Sequence, residues 1–405
     1  MTDTYRPDTE DHLVDLIAWA NSERKPLAVH GAKTKHRLGR PMSGRTGLDL
    51  TAFAGVSLYE PEELVLAAGP ATPLAEIEAL LRENRQQLAF DPPDLSGLLG
   101  APNSGTIGGV IACNLSGSRR IKDGAARDHF LGFDAVSGRA QKVKSGGRVM
   151  KNVTGYDLSK VLCGSYGTLA AMTAMTVKVL PAPEKTRTVL VFGLDPSQAV
   201  AALASGLNGP FEVSGAAWIP QSIADRSDTD HIRQAGGSVT ALRIEGFGPS
   251  VEYRCAKLRD LLSPLGETEE LHSHNSANFW KSIRDVEPFR SDDRVVWKIS
   301  VAPTDAPTIL SALSHLKAVE AYLDWAGGLI WLAVDAPRQG AHEPVRDAVN
   351  TVGGHATLIR AGDTLRNTIS VFHPQPAPLA AITKRLKDSF DPNGVLNPGR
   401  MSEGV

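Results

Sequence analysis

Residues 101–120 read Ala101-Pro102-Asn103-Ser104-Gly105-Thr106-Ile107-Gly108-Gly109-Val110-Ile111-Ala112-Cys113-Asn114-Leu115-Ser116-Gly117-Ser118-Arg119-Arg120, followed by Gly124-Ala125-Ala126-Arg127-Asp128. The run sets bare backbone N–H groups beside small hydroxyls. That combination suits a pyrophosphate without a large basic patch. A second run, Met150-Lys151-Asn152-Val153-Thr154-Gly155-Tyr156-Asp157, continues to Gly164-Ser165-Tyr166-Gly167-Thr168-Leu169. From Asp91 to Gly167 glycine recurs every few residues among short β-type pieces. So many residues able to take positive φ imply a chain running close against something rigid. A turn-rich β domain is one reading, and a backbone wrapped around an extended ligand is the sharper one.

Upstream of these runs, helix and strand signals alternate. Leu13, Leu16, Ile17 and Trp19 recur at helical spacing between Asp8 and Ser22. Leu27-Ala28-Val29-His30 reads as a strand ending at Gly31, with further strands at 48–50 and 64–68. Thr72 is the expected N-cap, with Pro73 at the first helical position, of a helix running through Arg85. Downstream, Pro181-Ala182-Pro183 marks a boundary. Strand signals at 188–192, 215–219, 242–246 and 295–301 alternate with helix signals at 197–205, 251–262 and 304–316. That order implies an antiparallel sheet covered by helices on one face. An amphipathic helix at 379–390 leads to the turn Asp391-Pro392-Asn393-Gly394 and to Asn397-Pro398-Gly399-Arg400. The fold class is α+β, with domains expected at 1–183 and 184–390 and a returning tail at 391–405.

Composition narrows the functions open to the chain. Its 405 residues carry 43 Lys+Arg against 45 Asp+Glu, a net charge of −2. No basic excess exists to neutralise nucleic-acid phosphates, and apolar content is too high for disorder. The three cysteines, Cys113, Cys163 and Cys255, show neither zinc nor iron–sulfur spacing. The Val161–Val177 stretch is shorter than the ~20 apolar residues of a spanning helix. The expected location is cytoplasmic, at most peripheral to the inner membrane through partners. Gly31-Ala32-Lys33-Thr34-Lys35 lacks the Gly-Lys-Ser/Thr ending of a Walker A loop. No Gly-x-Gly-x-x-Gly follows a strand and opens a helix, so a Rossmann site is excluded.

The ordered set Pro-x-x-Gly-Thr-Ile-Gly-Gly, Gly-x-Arg-Arg, Arg-Asp, Met-Lys-Asn-Val-x-Gly-Tyr-Asp, Gly-Ser-x-Gly-Thr-Leu and a final Leu-Asn-Pro-Gly-Arg resembles the vanillyl-alcohol oxidase / p-cresol methylhydroxylase (PCMH-type) flavoprotein family. Phe279–Arg284, Trp297–Val301, Asp324–Gly328 and Gly353–Leu358 look like segments of the smaller FAD-binding subunit of bacterial glycolate oxidase (glycolate dehydrogenase). The resemblance implies a two-subdomain PCMH-type FAD-binding domain followed by an α+β cap. It implies that Gly31 to Lys35 form the first pyrophosphate loop, with His30 just before the glycine. Thr106, Ile107, Gly108, Gly109, Asn114, Ser116, Gly117, Ser118 and Arg119 would contact the ribityl chain, diphosphate and flavin. Gly164, Gly167, Thr168 and Leu169 would lie near the adenine half. Pro102, Gly105, Gly124, Arg127, Asp128, Gly155 and Tyr156 complete the cofactor-binding candidates. Relatives with covalent FAD carry His two residues after the loop glycine. Lys33 stands there, so noncovalent FAD is expected, with Lys33 paired to a phosphate.

Oxidising a 2-hydroxy acid needs a cation for the carboxylate, a base for the hydroxyl proton and a hydride acceptor. Arg284 and Lys298 are the cation candidates and His355 the base candidate. The resemblance places polar or basic residues where this chain has Leu329-Ile330 before Trp331, which raises Ile330 as a position of altered substrate handling. It also implies two partners, a larger FAD-binding subunit and an iron–sulfur subunit. Two functions remain at this stage: a catalytic flavin dehydrogenase subunit for glycolate or a related 2-hydroxy acid, or a non-catalytic FAD-holding scaffold or relay. A flavin-free phosphate-binding fold is a third.

Overall fold

A computed structural model describes residues 3–42, 44–148, 155–336 and 338–405. Met150 to Thr154 of the second glycine-containing motif lie outside the described residues, so only Gly155 and Tyr156 of its cofactor candidates can be placed. The chain forms two compact units. The first holds Met1–Ser116, Gly124–Ala182 and Arg366–Val405, and the second Gly117–Asp123 and Pro183–Leu365. The sequence reading set 366–390 with the second domain, whereas these residues pack in the first. It kept 117–123 in the first domain, and that short segment packs in the second.

In the first unit, Thr4–Tyr5 (β1), Leu27–His30 (β2) and Thr46–Asp49 (β3) make a parallel sheet in the order β1-β3-β2. Val56–Glu60 (β4) and Val65–Ala68 (β5) belong to a second sheet, and Gln86–Gln87 (β6) to a short pair. Phe130–Ser137 (β7), Lys142–Gly146 (β8) and Ala170–Lys178 (β9) complete the second sheet in the antiparallel order β4-β5-β9-β7-β8, and Leu180–Pro181 (β10) pairs with β6. The helix Glu10–Ser22 starts where the Thr9 hydroxyl accepts from the His12 N–H. It buries Leu13, Leu16, Ile17 and Ala20, one stripe at i, i+3, i+4 and i+7. That stripe shares a core with Leu27, Leu48 and Leu50, with Val136 and Ala171 of the second sheet, and with Val395 and Leu396 of the tail.

The next helix, Leu74–Glu83, differs from the expectation at its start. Its N-cap is Pro73, with no side-chain cap bond. Thr72 is occupied elsewhere: its hydroxyl donates to the Gly69 carbonyl at 2.7 Å and accepts from the Gly55 N–H at 2.9 Å. The threonine therefore knots the 53–55 and 69–72 turns together, and the knot carries the glycine run. Gly108 N–H donates to Pro70 O at 2.8 Å and Ile107 N–H to Thr72 O at 3.1 Å. A Cβ on Gly108 would stand 2.6 Å from the Pro70 oxygen, so only glycine permits this approach.

The tail is built into the first unit rather than laid on it. Leu27 N–H donates to Val395 O at 2.7 Å, and Asn397 N–H donates to Leu27 O at 3.0 Å, so the tail extends the edge of β2. The Asn397 side chain accepts from Val29 N–H and donates to Tyr166 O. Lys387 is the one buried residue of the helix Ala377–Phe390. Its ammonium meets the Asp391 carboxylate at 2.6 Å and donates to the carbonyls of Thr168 and Leu396. Asp391 in turn accepts from the N–H groups of Val395 and Leu396.

The second unit is an eight-stranded antiparallel sheet. Its strands are Lys185–Phe192 (β11), Val213–Ile219 (β12), Val239–Gly246 (β13), Thr268–His272 (β14), Val295–Ser300 (β15), Glu320–Asp324 (β16), Leu329–Val334 (β17) and His355–Arg360 (β18), in the order β14-β11-β13-β12-β16-β17-β15-β18. Register pairs sort its two faces. Lys298 opposes Trp331 and Thr357, and Ser300 opposes His355, so these share one face with Asp324. Ile330 opposes Ile299 and Leu323 on the other face and is fully buried. The position suspected of altering substrate handling therefore points away from Lys298. The expected helices on one face are joined by a helix on the opposite one: Ser273–Arg284 packs by Trp280, whose indole N–H donates to Thr188.

Breaking the Lys387–Asp391 pair leaves a buried carboxylate uncompensated. Lys387→Met is expected to destabilise the protein by about 3–5 kcal/mol in denaturant unfolding, the usual cost of removing one partner of a buried pair. Lys387→Met/Asp391→Asn together should cost less than Lys387→Met alone.

Candidate functional site

The loop after β2 carries the first cluster. β2 delivers His30 at its end, and Lys33 turns the chain with φ of +57°. None of the N–H groups from Ala32 to Lys35 donates to a backbone carbonyl among the described residues. A row of free N–H groups in such a turn forms an anion-binding concavity. Lys33 itself is exposed, whereas Lys35 folds inward and its Nζ fills the space above Gly105 and Gly109. Its only hydrogen-bond contact among the described residues is the Thr34 hydroxyl at 3.5 Å. Burial pushes the Lys35 ammonium below its ordinary range. His30 has a buried Nε2 without a partner. Burial, followed by the charge of Lys33, lowers its pKa, so the ring is neutral.

Thr106 caps the helix Ile107–Cys113 by accepting from Gly109 N–H at 3.4 Å. Other expected cofactor contacts have structural work that the sequence hid. Asn114, in the left-handed region at φ +48°, accepts from Arg127 N–H. Ser116 accepts from Ala126 N–H, and Asp128 closes the Gly124 turn by accepting from Ala125 N–H. Arg127 donates to Lys160 O. Gly164 N–H donates to Ile111 O, and Thr168 donates to Ser165 O. Gly167 faces Asn397, while Leu169 is buried. Pro102 is exposed, as are Gly155 and Tyr156, the last 89% accessible. The side chains of Ser118 and Arg119 are engaged inside the second unit. Ser118 donates to Asp324 at 2.7 Å, and Arg119 forks onto Glu245 at 2.7 and 3.0 Å. Only their backbone remains for a ligand.

The second cluster lies on one face of the eight-stranded sheet. The β16–β17 turn is strained, with Trp325 at φ +52° and Ala326 at φ +59°. Two non-glycine residues in the left-handed region cost of order 1 kcal/mol each or more, and such strain concentrates at functional sites. The turn aims Trp325 across the 117–123 segment: its indole N–H donates to Gly117 O at 3.0 Å, and Asp324 accepts from Trp325 N–H. The Trp325 ring carries Arg120 at 4.3 Å on its face and Lys298 at 5.2 Å. Lys298 makes no hydrogen bond or ion pair among the described residues. Burial, then the Arg120 charge, brings its pKa down to about 8, and Asp324 opposes the shift. His355 begins β18 after two positive-φ glycines, and a Cβ on Gly354 would collide with the Ser300 carbonyl. His355 is exposed, with cations close to its ring. Desolvation is the largest cause of its lowered pKa, followed by the charges of Lys298, Arg120 and Arg346.

The structure thus gathers Lys298 and His355 but not the third candidate. Arg284 ends the helix Ser273–Arg284 and forks onto its neighbour Asp285 at 2.8 and 3.0 Å. The sequence reading missed Arg120 and Trp325 as members of the cluster. The cue was the Gly117-to-Asp123 segment itself, in which Arg119 was assigned to the cofactor and Arg120 was given no role. Among the described residues no group of His, Cys, Asp and Glu could hold a metal, and no helix is long and apolar enough to cross a membrane.

Residues 4–145 match a family model described as an FAD binding domain. The fold is shared with p-cresol methylhydroxylase, at a TM-score of 0.71 and 13% identity, over 99% of this chain and 88% of that one. A D-lactate dehydrogenase of Anaerostipes hadrus is 28% identical over 45% of this chain and 37% of its own length. The chain is thus an FAD-dependent oxidoreductase of PCMH-type fold. The unpaired N–H row, the buried Lys35 and the orphaned His30 Nε2 all fit such a cofactor. Glycolate oxidase subunit GlcE of Escherichia coli (strain K12) is 35% identical over 97% of both chains. The chain belongs to that subunit's family.

A lysine whose folded pKa lies below its unfolded value binds fewer protons folded than unfolded between the two. Stability therefore rises with pH across that window. For Lys298 the window runs from about 8 to 10.5. The difference in unfolding free energy between the native protein and Lys298→Met is expected to shrink as pH rises from 8 to 10.5, the substitution being most stabilising at the low end. A difference that stays flat across this range would place Lys298 in open solvent.

Proposed function

We propose that this chain is the FAD-binding, substrate-oxidising subunit of a glycolate oxidase (glycolate dehydrogenase) type complex, converting glycolate or a related 2-hydroxy acid to the 2-oxo acid. The observation that carries the proposal is the Lys298–Arg120–His355 cluster: Lys298 and Arg120 over the Trp325 ring, with Lys298 in no ion pair among the described residues, beside an imidazole whose pKa their charges lower. Lys298 and Arg120 receive the substrate carboxylate, and the Trp325 face beneath them excludes water from one side. His355, whose pKa desolvation and the adjacent positive charges lower, accepts the proton of the C2 hydroxyl at Nδ1 or Nε2. When bound, FAD accepts the hydride from C2, which balances the two-electron oxidation. The Ala32–Lys35 N–H row and Lys35 hold the pyrophosphate. The flavin is bound noncovalently, because Lys33 stands where covalently linked relatives have histidine. The E. coli relative's designation as a glycolate oxidase subunit supports a heteromeric assembly. Its partners would be a larger FAD-binding subunit and an iron–sulfur subunit that removes the electrons, in the cytoplasm or at the inner membrane through those partners.

Anaerobic addition of glycolate or D-lactate to the flavin-loaded chain is expected to bleach the flavin absorbance. Lys298→Met should raise KM, and His355→Gln should lower kcat by roughly 10²–10⁴-fold, the range for a lost general base. KM should climb as pH passes through about 8, where Lys298 loses its charge, and this inflection should vanish in Lys298→Met. A flavin that never bleaches, alone or with its partner subunits, overturns the proposal in favour of an FAD-holding scaffold or relay.

A further inference from the structure

Two arginines of the C-terminal segment grip the loop after β2 by its carbonyls. Arg400 Nη2 donates to Lys35 O at 2.8 Å and Nη1 to Arg40 O at 3.4 Å, while the Arg400 carbonyl accepts from Arg40 N–H at 2.8 Å. Arg366 Nη1 donates to the carbonyls of Arg37 and, at 2.8 Å, Gly39. Both arginines are buried, at 2% exposure for Arg366 and 8% for Arg400. Arg400 forms no ion pair with a carboxylate among the described residues, and burial lowers its pKa, although a guanidinium stays charged. The carbonyls of residues 35, 37, 39 and 40 are thus all claimed by these two side chains. The N–H groups of residues 32–35 meanwhile meet no backbone acceptor. Arg400 fixes the Lys35 carbonyl at the end of the 32–35 N–H row, and the two arginines together hold the 37–40 stretch that follows, so the clamp fixes the loop from its C-terminal side.

We propose that Arg366 and Arg400 are positioning residues for the cofactor's pyrophosphate. They act through the loop carbonyls rather than on the phosphate, and they make cofactor affinity depend on residues more than 300 positions away in the chain. This inference rests on the reading of the Ala32–Lys35 loop as the phosphate cradle, and the test separates the two.

The full-length chain is stripped of flavin, and FAD binding is followed by fluorescence quenching, with ADP as a competitor that carries the pyrophosphate but no flavin. Arg400→Gln and Arg366→Gln are each expected to weaken FAD and ADP by the same factor, roughly tenfold, the scale of one lost charge-assisted hydrogen bond. Arg400→Lys should recover part of the loss. Equal factors for the two ligands locate the effect at the pyrophosphate, which a general loss of structure would not do. Unchanged ADP affinity in the arginine variants, with Lys35→Met still weakening ADP, overturns the clamp and leaves the cradle standing. Unchanged ADP affinity in Lys35→Met overturns the cradle reading itself. Should Arg400→Gln fail to fold, Arg366→Gln and Arg400→Lys carry the comparison.

Discussion

The buried ion pair of Lys387 and Asp391 is the constraint on which the first unit turns. An isolated buried ammonium would be prohibitively costly, and a single carboxylate barely offsets it. Here every valence is used: Lys387 serves Asp391 and two carbonyls, and Asp391 serves two N–H groups of the tail. The pair therefore fixes direction as well as position. It aims the chain from Asp391 along the edge of β2, so that Val395 and Leu396 enter the core beside Leu27 and Leu48. Asn397 then links Val29 to Tyr166, and Arg400 reaches the loop that follows β2. The loop after β2 is thus shaped by a segment far from it in the sequence.

That dependence explains what could be read in the sequence and what could not. The glycine run at 105–109 was legible as a place of close backbone approach, because glycine is the residue that allows it; that the approach is to Pro70 and Thr72, far back in the chain, was not. The amphipathic helix at the N-terminus was legible from its 3.6-residue period. Thr72 was misread because its sequence context, Thr-Pro followed by an apolar period, satisfies the rules for a cap. The hydroxyl instead found two partners, across the turn at Gly69 and in a different turn at Gly55. Long-range partners of this kind override local propensity, and nothing in the 69–76 stretch announces them. The same holds for residues 366–390, whose place in the first unit depends on where Lys387 finds its anion.

The candidate site in the second unit was half legible. Lys298 and His355 stand in recognisable strand segments, but their meeting depends on the β15–β18 register, one residue of which would turn both to the other face. Arg120 was missed because residues 117–123, which the sequence reading kept in the first domain, pack in the second unit. Arg284 was a reasonable carboxylate binder by residue type, but the acid that occupies it is the adjacent residue. Ile330 was suspected because the resemblance places polar or basic residues there, while the two-residue period of β17 sends it to the face opposite Lys298.

Among the cations, the separating feature is whether a carboxylate already neutralises them. Arg119 and Arg243 share Glu245, Arg284 holds Asp285, Arg294 bridges Asp292 and Glu320, and Lys387 holds Asp391. These pairs sum to little charge and rigidify the fold. Lys35, Lys298 and Arg400 are different: each is desolvated, each has its pKa pushed down by burial, and none forms an ion pair with a carboxylate among the described residues. Burying an unneutralised cation is unfavourable, and an anion bound beside it would offset that cost. With a net charge of −2 over 405 residues, this asymmetry is invisible in composition. It lies only in the pairing.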